Sequence, residues 1–187
     1  MSAFGQRIND LVSLLPALAS PALDQSVDRA LDLLTEAARA DRAILVCGNG
    51  GSAADAQHIA GELVGRFLLD RRALNVRALS TDSSVLTAWA NDIGYDTVFS
   101  RQVEAYAQPG GVLLALSTSG NSKNVVLAAE AARSRGMTVV ALTGEGGGAL
   151  RACSDVLINV PSRQTPRIQE MHLVVYHYLC EALEGRI

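Results

Sequence analysis

Short apolar runs alternate with amphipathic segments along this chain, and that alternation limits its fold more than any other feature of the sequence. The apolar runs predict strands at 43–47, 75–80, 112–117, 138–143 and 156–160. The amphipathic segments predict helices at 52–67, 82–92, 97–107, 122–135 and 167–185. Strands separated by helices form parallel sheets that are covered on both faces. The sequence therefore predicts an α/β fold with a doubly wound, five-stranded parallel sheet flanked by helices.

Two further helices are predicted before the first strand. Residues 4–19 carry apolar side chains at three- and four-residue spacings, and Pro21 begins a second stripe of the same kind. These helices either cover the core or form an oligomerisation element. We find no linker or repeat that would mark a second domain. We therefore assign residues 1–187 to one domain, with 1–40 as N-terminal oligomerisation helices and 43–187 as the α/β core.

Charge and composition exclude several classes of function. The net charge of −3 argues against a nucleic acid as a direct partner, because binding to a phosphate backbone needs a basic face. No apolar run reaches the roughly 18 residues of a membrane span, and the first residues do not have the pattern of a signal peptide. The three scattered cysteines are typical of a reducing compartment. We expect a cytoplasmic protein with no membrane partner.

Two turns rich in glycine and hydroxyl groups follow the first and third predicted strands. They are Gly48-Asn49-Gly50-Gly51-Ser52 and Ser117-Thr118-Ser119-Gly120-Asn121-Ser122. A turn of this kind presents backbone N–H groups and hydroxyl donors at the positive end of a helix dipole, where a phosphate group binds. Neither turn contains a lysine, and the Walker loop and the dinucleotide fingerprint are both missing from the chain. The pair of turns therefore predicts a site for a small phosphorylated molecule, beyond the carboxyl ends of the strands.

The helix predicted after the first turn carries three candidate groups for chemistry. His58 and Glu62 are four residues apart, so their side chains lie on one face, and Asp55 is about one turn before His58. A histidine and a carboxylate at this spacing ligate a divalent metal ion, share a proton, or form an ordinary surface pair. Their closeness to a phosphate-binding turn favours the first two interpretations.

The last predicted helix carries polar groups in a segment that is otherwise suited to burial. Gln169 and His177 are separated by about 80° around a helix and by roughly 12 Å along it, which makes a shared metal ion hard to reach from one straight helix. Either the helix begins irregularly, or the two residues serve sites through different subunits. His172 points some 140° away from His177 and is interpreted as structural.

Three other features have simpler interpretations. Asn91-Asp92 followed by Gly94 is typical of the end of a helix, and Gly146-Gly147-Gly148 predicts a flexible turn. Cys47 precedes the first turn, but no histidine adjoins it in the sequence, so we do not expect it to act as a nucleophile.

Four motifs together resemble the sugar isomerase (SIS) domain, and more closely the bacterial phosphoheptose isomerase family. They are C-G-N-G-G-S-A-A-D-A-Q-H-x-A-x-E-L at 47–63, N-D at 91–92, S-T-S-G-N-S at 117–122 and R-I-Q-E-x-H at 167–172. The resemblance implies a flavodoxin-like α/β fold in a homotetramer, with active sites at subunit interfaces. It also implies conversion of sedoheptulose 7-phosphate to D-glycero-D-manno-heptose 7-phosphate, the first step toward the heptose of lipopolysaccharide and other envelope glycans.

The resemblance also assigns roles to individual residues. The residues implied to hold the phosphate are Ser52, Ser117, Thr118, Ser119 and Ser122. Those implied to contact the sugar are Asn49, Gly50, Gly51, Asn91 and Asp92. The positions implied to bind one zinc ion per subunit or to conduct acid–base chemistry are His58, Glu62, Gln169 and His177. A carboxylate that is bound to zinc is a poorer base. The sequence therefore leaves three roles open for Glu62, which can be a zinc ligand, a base, or each of these in turn.

Ketose-to-aldose conversion moves a proton between adjacent carbons through an enediol, and it needs a base and an acid. We expect Glu62 to take the carbon-bound proton and His177 to shuttle the proton at the oxygens. A different interpretation comes from non-catalytic SIS-domain relatives that bind the bacterial replication initiator and share the local sequence 167–173. The presence of both Glu62 and His177 favours the enzyme.

Overall fold

The computed structural model describes residues 2–187 and contains one five-stranded sheet in which all strands are parallel. The strands are β1 (Ile44–Cys47), β2 (Val76–Ala78), β3 (Val112–Ser117), β4 (Thr138–Thr143) and β5 (Val156–Asn159). Their order across the sheet is β2-β1-β3-β4-β5. The predicted doubly wound α/β architecture is therefore confirmed, and each predicted strand lies within two residues of its observed bounds.

Eight α-helices connect and cover the strands within residues 2–187. They are α1 (Ala3–Leu18), α2 (Pro21–Arg39), α3 (Gly51–Val64), α4 (Ser83–Asp92), α5 (Val98–Tyr106), α6 (Lys123–Ser134), α7 (Leu150–Cys153) and α8 (Thr165–Glu184). A single 3₁₀ turn at Tyr95–Thr97 joins α4 to α5. The one-turn helix α7 was not predicted, and α3 ends three residues earlier than the pattern indicated.

The sheet separates two apolar layers. Ile44 and Val46 of β1 face the layer that α2, α3 and α8 cover, whereas Leu45 and Cys47 face the layer that α5 and α6 cover. This alternation follows from the two-residue repeat of a strand. Because both faces are covered, every residue of β1 and β3 is buried.

The two N-terminal helices have different environments. Helix α2 packs into the first layer and buries Leu31 and Leu34, so it serves as cover for the core. Helix α1 has no buried residue, and Phe4, Ile8 and Val12 on it are exposed. Among residues 2–187 no helix combines the length and the apolar character that a membrane crossing requires.

The chain reverses its direction of travel across the sheet at β1. From β1 it moves to the edge strand β2, and it then returns to the other side of β1 to form β3. The helices that follow the two central strands, α3 and α6, cover opposite faces of the sheet. In open α/β sheets a crevice forms beyond the strand ends at such a reversal, and ligands bind there. Both turns rich in glycine and hydroxyl groups lie at this point.

Candidate active site

The first turn depends on glycine for its shape. Gly50 is the N-cap of α3 and has a φ of +55°, a conformation that residues with a side chain rarely adopt. A Cβ at Gly48 would lie 2.7 Å from the backbone oxygen of Ser52. These glycines let the chain pass directly from β1 into α3, with its free N–H groups facing the crevice. Ser52 is buried in the first turn of α3.

The second turn brings its outer two serines together. The hydroxyl oxygens of Ser117 and Ser122 are 3.0 Å apart, so a hydrogen bond links the first and last residues of the turn. Between them Thr118 is half-buried and Ser119 is exposed, and the Ser119 hydroxyl accepts a hydrogen bond from the Asn121 backbone N–H. Ser122 is the N-cap of α6, so the turn ends at the positive end of a helix dipole.

The predicted glycine turn at 146–148 packs against this second turn. A Cβ at Gly120 would collide with the carbonyl oxygen of Gly147, and the Leu150 backbone N–H donates to the Gly120 carbonyl oxygen at 3.0 Å. The Asn121 side chain accepts from the Ala149 N–H at 2.9 Å. The three glycines therefore brace the backbone of the second turn, a role that their sequence pattern did not indicate.

A pair of amides joins the two turns. The Asn49 and Asn124 side chains exchange two hydrogen bonds of 2.8 and 2.9 Å, and the Tyr95 hydroxyl donates to the Asn49 oxygen at 3.2 Å. Sequence reasoning missed Asn124 and Tyr95. Asn124 is recognised from its burial on the first turn of α6, because an amide that is buried without a hydrogen-bond partner costs free energy.

Lys123 is the only lysine in the chain, and it directly follows the second turn. Its Nζ lies 2.7 Å from Asp96 Oδ2 on the 3₁₀ turn, and both side chains are largely exposed. A cation therefore stands at the rim of the turn. Lys123 lies just outside the turn motif, so the sequence pattern did not indicate a role for it.

Asn91 and Asp92 form the last turn of α4, as the helix-end interpretation predicted. The Asn91 amide donates to the Asp92 carboxylate at 2.8 Å, and both residues are exposed. Within residues 2–187 neither side chain hydrogen-bonds to either turn, and the role of both residues in sugar binding stays a prediction.

Three of the four candidate residues for metal binding or acid–base chemistry come together between α3 and α8. His58 Nε2 is 2.9 Å from Glu62 Oε1, and the ring centroids of His58 and His177 are 5.1 Å apart. His177 also stacks on Phe67, which lies in the loop after α3. His58 is exposed, whereas Glu62 and His177 are half-buried, so all three can contact a ligand.

The fourth candidate, Gln169, lies elsewhere in this subunit. A Cβ at Gly51 would collide with the Gln169 amide, which places Gln169 over the first turn of α3. His58 is seven residues further along α3, and His177 is eight residues further along α8. The structure therefore does not bring Gln169 to the other three side chains, in agreement with the distance expected from a straight helix.

The donor set suits zinc, although the side chains are not arranged around an ion. Two imidazoles and one carboxylate are donors that zinc commonly takes in proteins. Within residues 2–187, no three His, Cys, Asp or Glu side chains stand in an arrangement that could hold a metal ion. His58, Glu62 and His177 therefore fit zinc by the chemistry of their donor atoms, whereas their side chains would have to move to surround an ion.

Behind His58 lies a buried tyrosine that sequence reasoning missed. The Tyr176 hydroxyl is 3.0 Å from His58 Nδ1 and 3.4 Å from Asp55 Oδ1. Burial raises the pKa of Asp55 above its ordinary value, and the hydrogen bond from Tyr176 partly opposes that rise. In the sequence Tyr176 follows two valines and resembles any core residue, so only the fold reveals its partners.

The loop after α3 is fastened to the end of α8. Glu184 accepts hydrogen bonds from the backbone N–H groups of Phe67, Leu68 and Leu69 at 2.7, 2.7 and 3.0 Å, and it pairs with Arg71 at 3.0 Å. Burial raises the pKa of Glu184, but these donors and the guanidinium outweigh it and hold the pKa below the ordinary value. This clamp fixes the loop that carries Phe67 and thereby supports His177.

Two groups that were interpreted as structural are indeed buried. His172 is fully buried with Nε2 3.1 Å from the Thr143 carbonyl oxygen, and burial lowers its pKa to about 4. Burial raises the pKa of the Cys47 thiol to about 12, which leaves almost no thiolate at neutral pH. This burial supports the interpretation of His172 as structural, and the unreactive state of Cys47 stays a prediction.

Comparison with known proteins identifies the family of this chain. The family model of the SIS domain matches residues 8–144. The phosphoheptose isomerase of Akkermansia muciniphila is 53% identical over 171 residues, which cover 91% of this chain and 89% of that protein. The solved phosphoheptose isomerase of Neisseria gonorrhoeae is 43% identical with a TM-score of 0.86, and the match covers 97% of this chain and 95% of that one. The solved phosphoheptose isomerase of Francisella tularensis is 32% identical with a TM-score of 0.89, and the match covers 99% of this chain and 100% of that one. The chain belongs to the SIS domain family and, within it, to the phosphoheptose isomerases, which are aldose–ketose isomerases.

Proposed function

We propose that this chain interconverts sedoheptulose 7-phosphate and D-glycero-D-manno-heptose 7-phosphate by moving a proton between C1 and C2 through an enediol. The observation that carries the proposal is the meeting of Glu62, His58 and His177 beside α3, the helix that begins at the first phosphate-binding turn. A carboxylate and an imidazole at one place can serve as the base and the acid of an isomerisation.

The two turns would hold the phosphate group and leave the rest of the sugar to extend along the crevice. The hydroxyl groups proposed to donate to the phosphate are those of Ser52, Ser117, Thr118, Ser119 and Ser122. Binding the unreactive end of the substrate orients its other end, and this orientation lowers the entropic part of the barrier. The side chain of Asn49, fixed by Asn124, would face the sugar together with Asn91 and Asp92.

Glu62 would take the proton from C1, and His177 would exchange a proton with the sugar oxygens. Glu62 is half-buried, which limits competing hydrogen bonds from water, and Phe67 holds the His177 ring by stacking at 5.6 Å between centroids. A neutral imidazole has one nitrogen that donates and one that accepts, so the His177 ring can pass a proton to or from a sugar oxygen.

A zinc ion would be held by His58, Glu62 and His177, with Gln169 supplied by a neighbouring subunit, and Glu62 and His177 would then act as metal ligand and as proton-transfer group in turn. When bound, the ion would stabilise negative charge on the sugar oxygens by Lewis-acid polarisation. The separation of Gln169 from the other three ligands within one subunit supports a site at a subunit interface. The exposed apolar side chains of α1 support the same assembly, a homotetramer.

We also propose that the protein works in the cytoplasm. Cys47, Cys153 and Cys180 are all buried as free thiols, which suits a reducing compartment.

The direct test is incubation of the zinc-loaded protein with sedoheptulose 7-phosphate, with the aldose product followed by NMR. We expect product in the zinc-loaded sample and much less after treatment with a chelator. No turnover by zinc-loaded protein, together with tight binding to a bacterial replication initiator, would instead identify a non-catalytic regulator.

A further inference from the structure

We infer that Asp55 and Tyr176 are positioning residues, which hold His58 with its proton on Nδ1 and turn the free lone pair of Nε2 toward Glu62. The inference rests on the proposed function insofar as it treats His58 as part of the isomerase site. It extends that proposal to two residues outside the phosphate turns, Asp55 and Tyr176, and the Tyr176 ring also meets the His177 ring edge to face, with centroids 4.9 Å apart.

The contacts form a chain across two helices. Asp55 and His58 lie three residues apart on α3, and Tyr176 reaches them from α8. The Tyr176 hydroxyl lies between them, 3.4 Å from Asp55 Oδ1 and 3.0 Å from His58 Nδ1. The rings of Tyr176 and His58 also meet edge to face, with centroids 5.5 Å apart. This packing holds the imidazole plane in one orientation.

The burial of Tyr176 limits which atoms can accept its hydroxyl proton. Tyr176 is only 2% exposed, so its single O–H proton must go to Asp55 or to His58. A carboxylate oxygen is a stronger acceptor than a neutral imidazole nitrogen, and the Tyr176 hydroxyl lies within hydrogen-bond distance of Asp55 Oδ1, at 3.4 Å. If Tyr176 donates to Asp55, its oxygen has only acceptor sites left for His58. The Nδ1 atom of His58 must then carry a proton.

A proton on Nδ1 has a consequence at the other ring nitrogen. In neutral His58 the Nε2 atom becomes an acceptor, and it lies 2.9 Å from another acceptor, Glu62 Oε1. Two lone pairs at that distance repel unless a proton or a metal cation lies between them. Asp55 and Tyr176 would thus prepare the His58–Glu62 pair to receive a cation, because a histidine ligand binds metal better when its other nitrogen donates to an oxygen.

The experiment combines a spectroscopic measurement with a binding measurement. ¹⁵N-labelled histidine in the metal-free protein reports by NMR which ring nitrogen of His58 is protonated. We expect a protonated Nδ1 in the wild type, and a mixture of both tautomers in Tyr176→Phe. Zinc titration against a fluorescent chelator should show that Tyr176→Phe raises the zinc Kd by about 10–100-fold. Tyr178→Phe, which changes an exposed tyrosine on the same helix, should leave the spectrum and the zinc Kd unchanged.

A second variant tests the carboxylate and guards against misfolding of Tyr176→Phe. Asp55→Asn keeps the shape but weakens the acceptor, and we expect a smaller rise in zinc Kd than in Tyr176→Phe. The inference is wrong if wild-type His58 carries its proton on Nε2 alone, or if neither variant changes the zinc Kd. Failure of the proposed function would look different, since it would abolish turnover in a protein whose His58 still shows the expected spectrum.

Discussion

Binding and chemistry are assigned to different side chains, and single substitutions separate them. Glu62→Gln keeps the size of the side chain and removes the base. We expect kcat to fall by about 10²–10⁴-fold with little change in KM, because general base catalysis contributes roughly that much. His177→Gln should behave in the same way. Steady-state kinetics with sedoheptulose 7-phosphate measure both parameters.

The control for these variants is His172→Gln, which changes a histidine on the same helix that faces the core. We expect its kcat to stay near that of the wild type. Loss of turnover in His172→Gln, with turnover retained in His177→Gln, would contradict the assignment of the last helix.

Ser119→Ala tests phosphate binding. The exposed hydroxyl of Ser119 is proposed to donate to a charged phosphate oxygen, a bond worth roughly 1–3 kcal/mol. Its loss should raise KM by about 5–150-fold and leave kcat nearly unchanged. Ser134→Ala, at the far end of α6, removes a hydroxyl that donates only to a backbone carbonyl and serves as the control. An unchanged KM in Ser119→Ala would exclude that hydroxyl from phosphate binding.

His172 should make the folded state sensitive to mild acid. Its pKa falls from an ordinary 6.5 to about 4 in the fold, so between these pH values the unfolded chain binds more protons. The free energy of unfolding is therefore not reduced by His172 above pH 6.5, and it decreases as the pH falls toward 4. At pH 5 the loss from this group is about 2 kcal/mol. Urea unfolding at pH 7 and pH 5 should show a smaller difference for His172→Gln than for the wild type.

At the scale of secondary-structure elements, the clamp between α8 and the loop after α3 makes a separate prediction. Glu184→Gln leaves the buried Arg71 guanidinium without its counter-charge, which costs about 3–5 kcal/mol of unfolding free energy. The backbone N–H groups of Phe67 and Leu68 lose a charged acceptor, so their hydrogen exchange should become faster. Glu181→Gln changes an exposed carboxylate one turn earlier and should alter neither quantity.

The sequence predicted those elements whose environment is uniform along their length. Strands β3 and β4 were predicted with their observed bounds, because nearly every residue in them is buried between two layers of helices. Helix α7 was missed because four residues are too few to show a helical period. Helix α3 ends early at Val64, and the loop that replaces its predicted last turn is held by Glu184, more than 100 residues away in the chain.

The same limit applies to the candidate site. His58, Glu62 and the hydroxyl groups of the two turns stand within short motifs, so spacing on one helix or in one turn was enough to propose them as candidates, and the family resemblance added their roles. Tyr176 and Asn124 act through partners on other elements. Their importance depends on contacts between distant segments, which the order of residues does not show.

At the scale of the whole molecule, the exposed apolar face of α1 predicts assembly. Phe4, Ile8 and Val12 are 75%, 45% and 55% exposed, and burying such area yields about 25 cal/mol per Å². Light scattering should give the mass of four chains. Val12→Glu should dissociate the proposed tetramer without unfolding the subunit, since α1 has no buried residue. If Gln169 reaches the zinc site of a neighbouring subunit, the same substitution should also lower the affinity for zinc. Gln25→Glu adds the same charge on α2 and should leave the assembly intact.

The order of the elements along the chain also fixes when each part of the site can form during translation. Ribosomes make the N-terminal end first, so both phosphate-binding turns emerge before β4 and β5. His177, Tyr176 and Glu184 all lie on α8, which follows every strand. A nascent chain can therefore bury its central strands and shape both turns of the candidate site while it still lacks His177. A chain that stopped before α8 would leave one apolar face of its sheet partly uncovered, and chaperones and proteases recognise such surfaces.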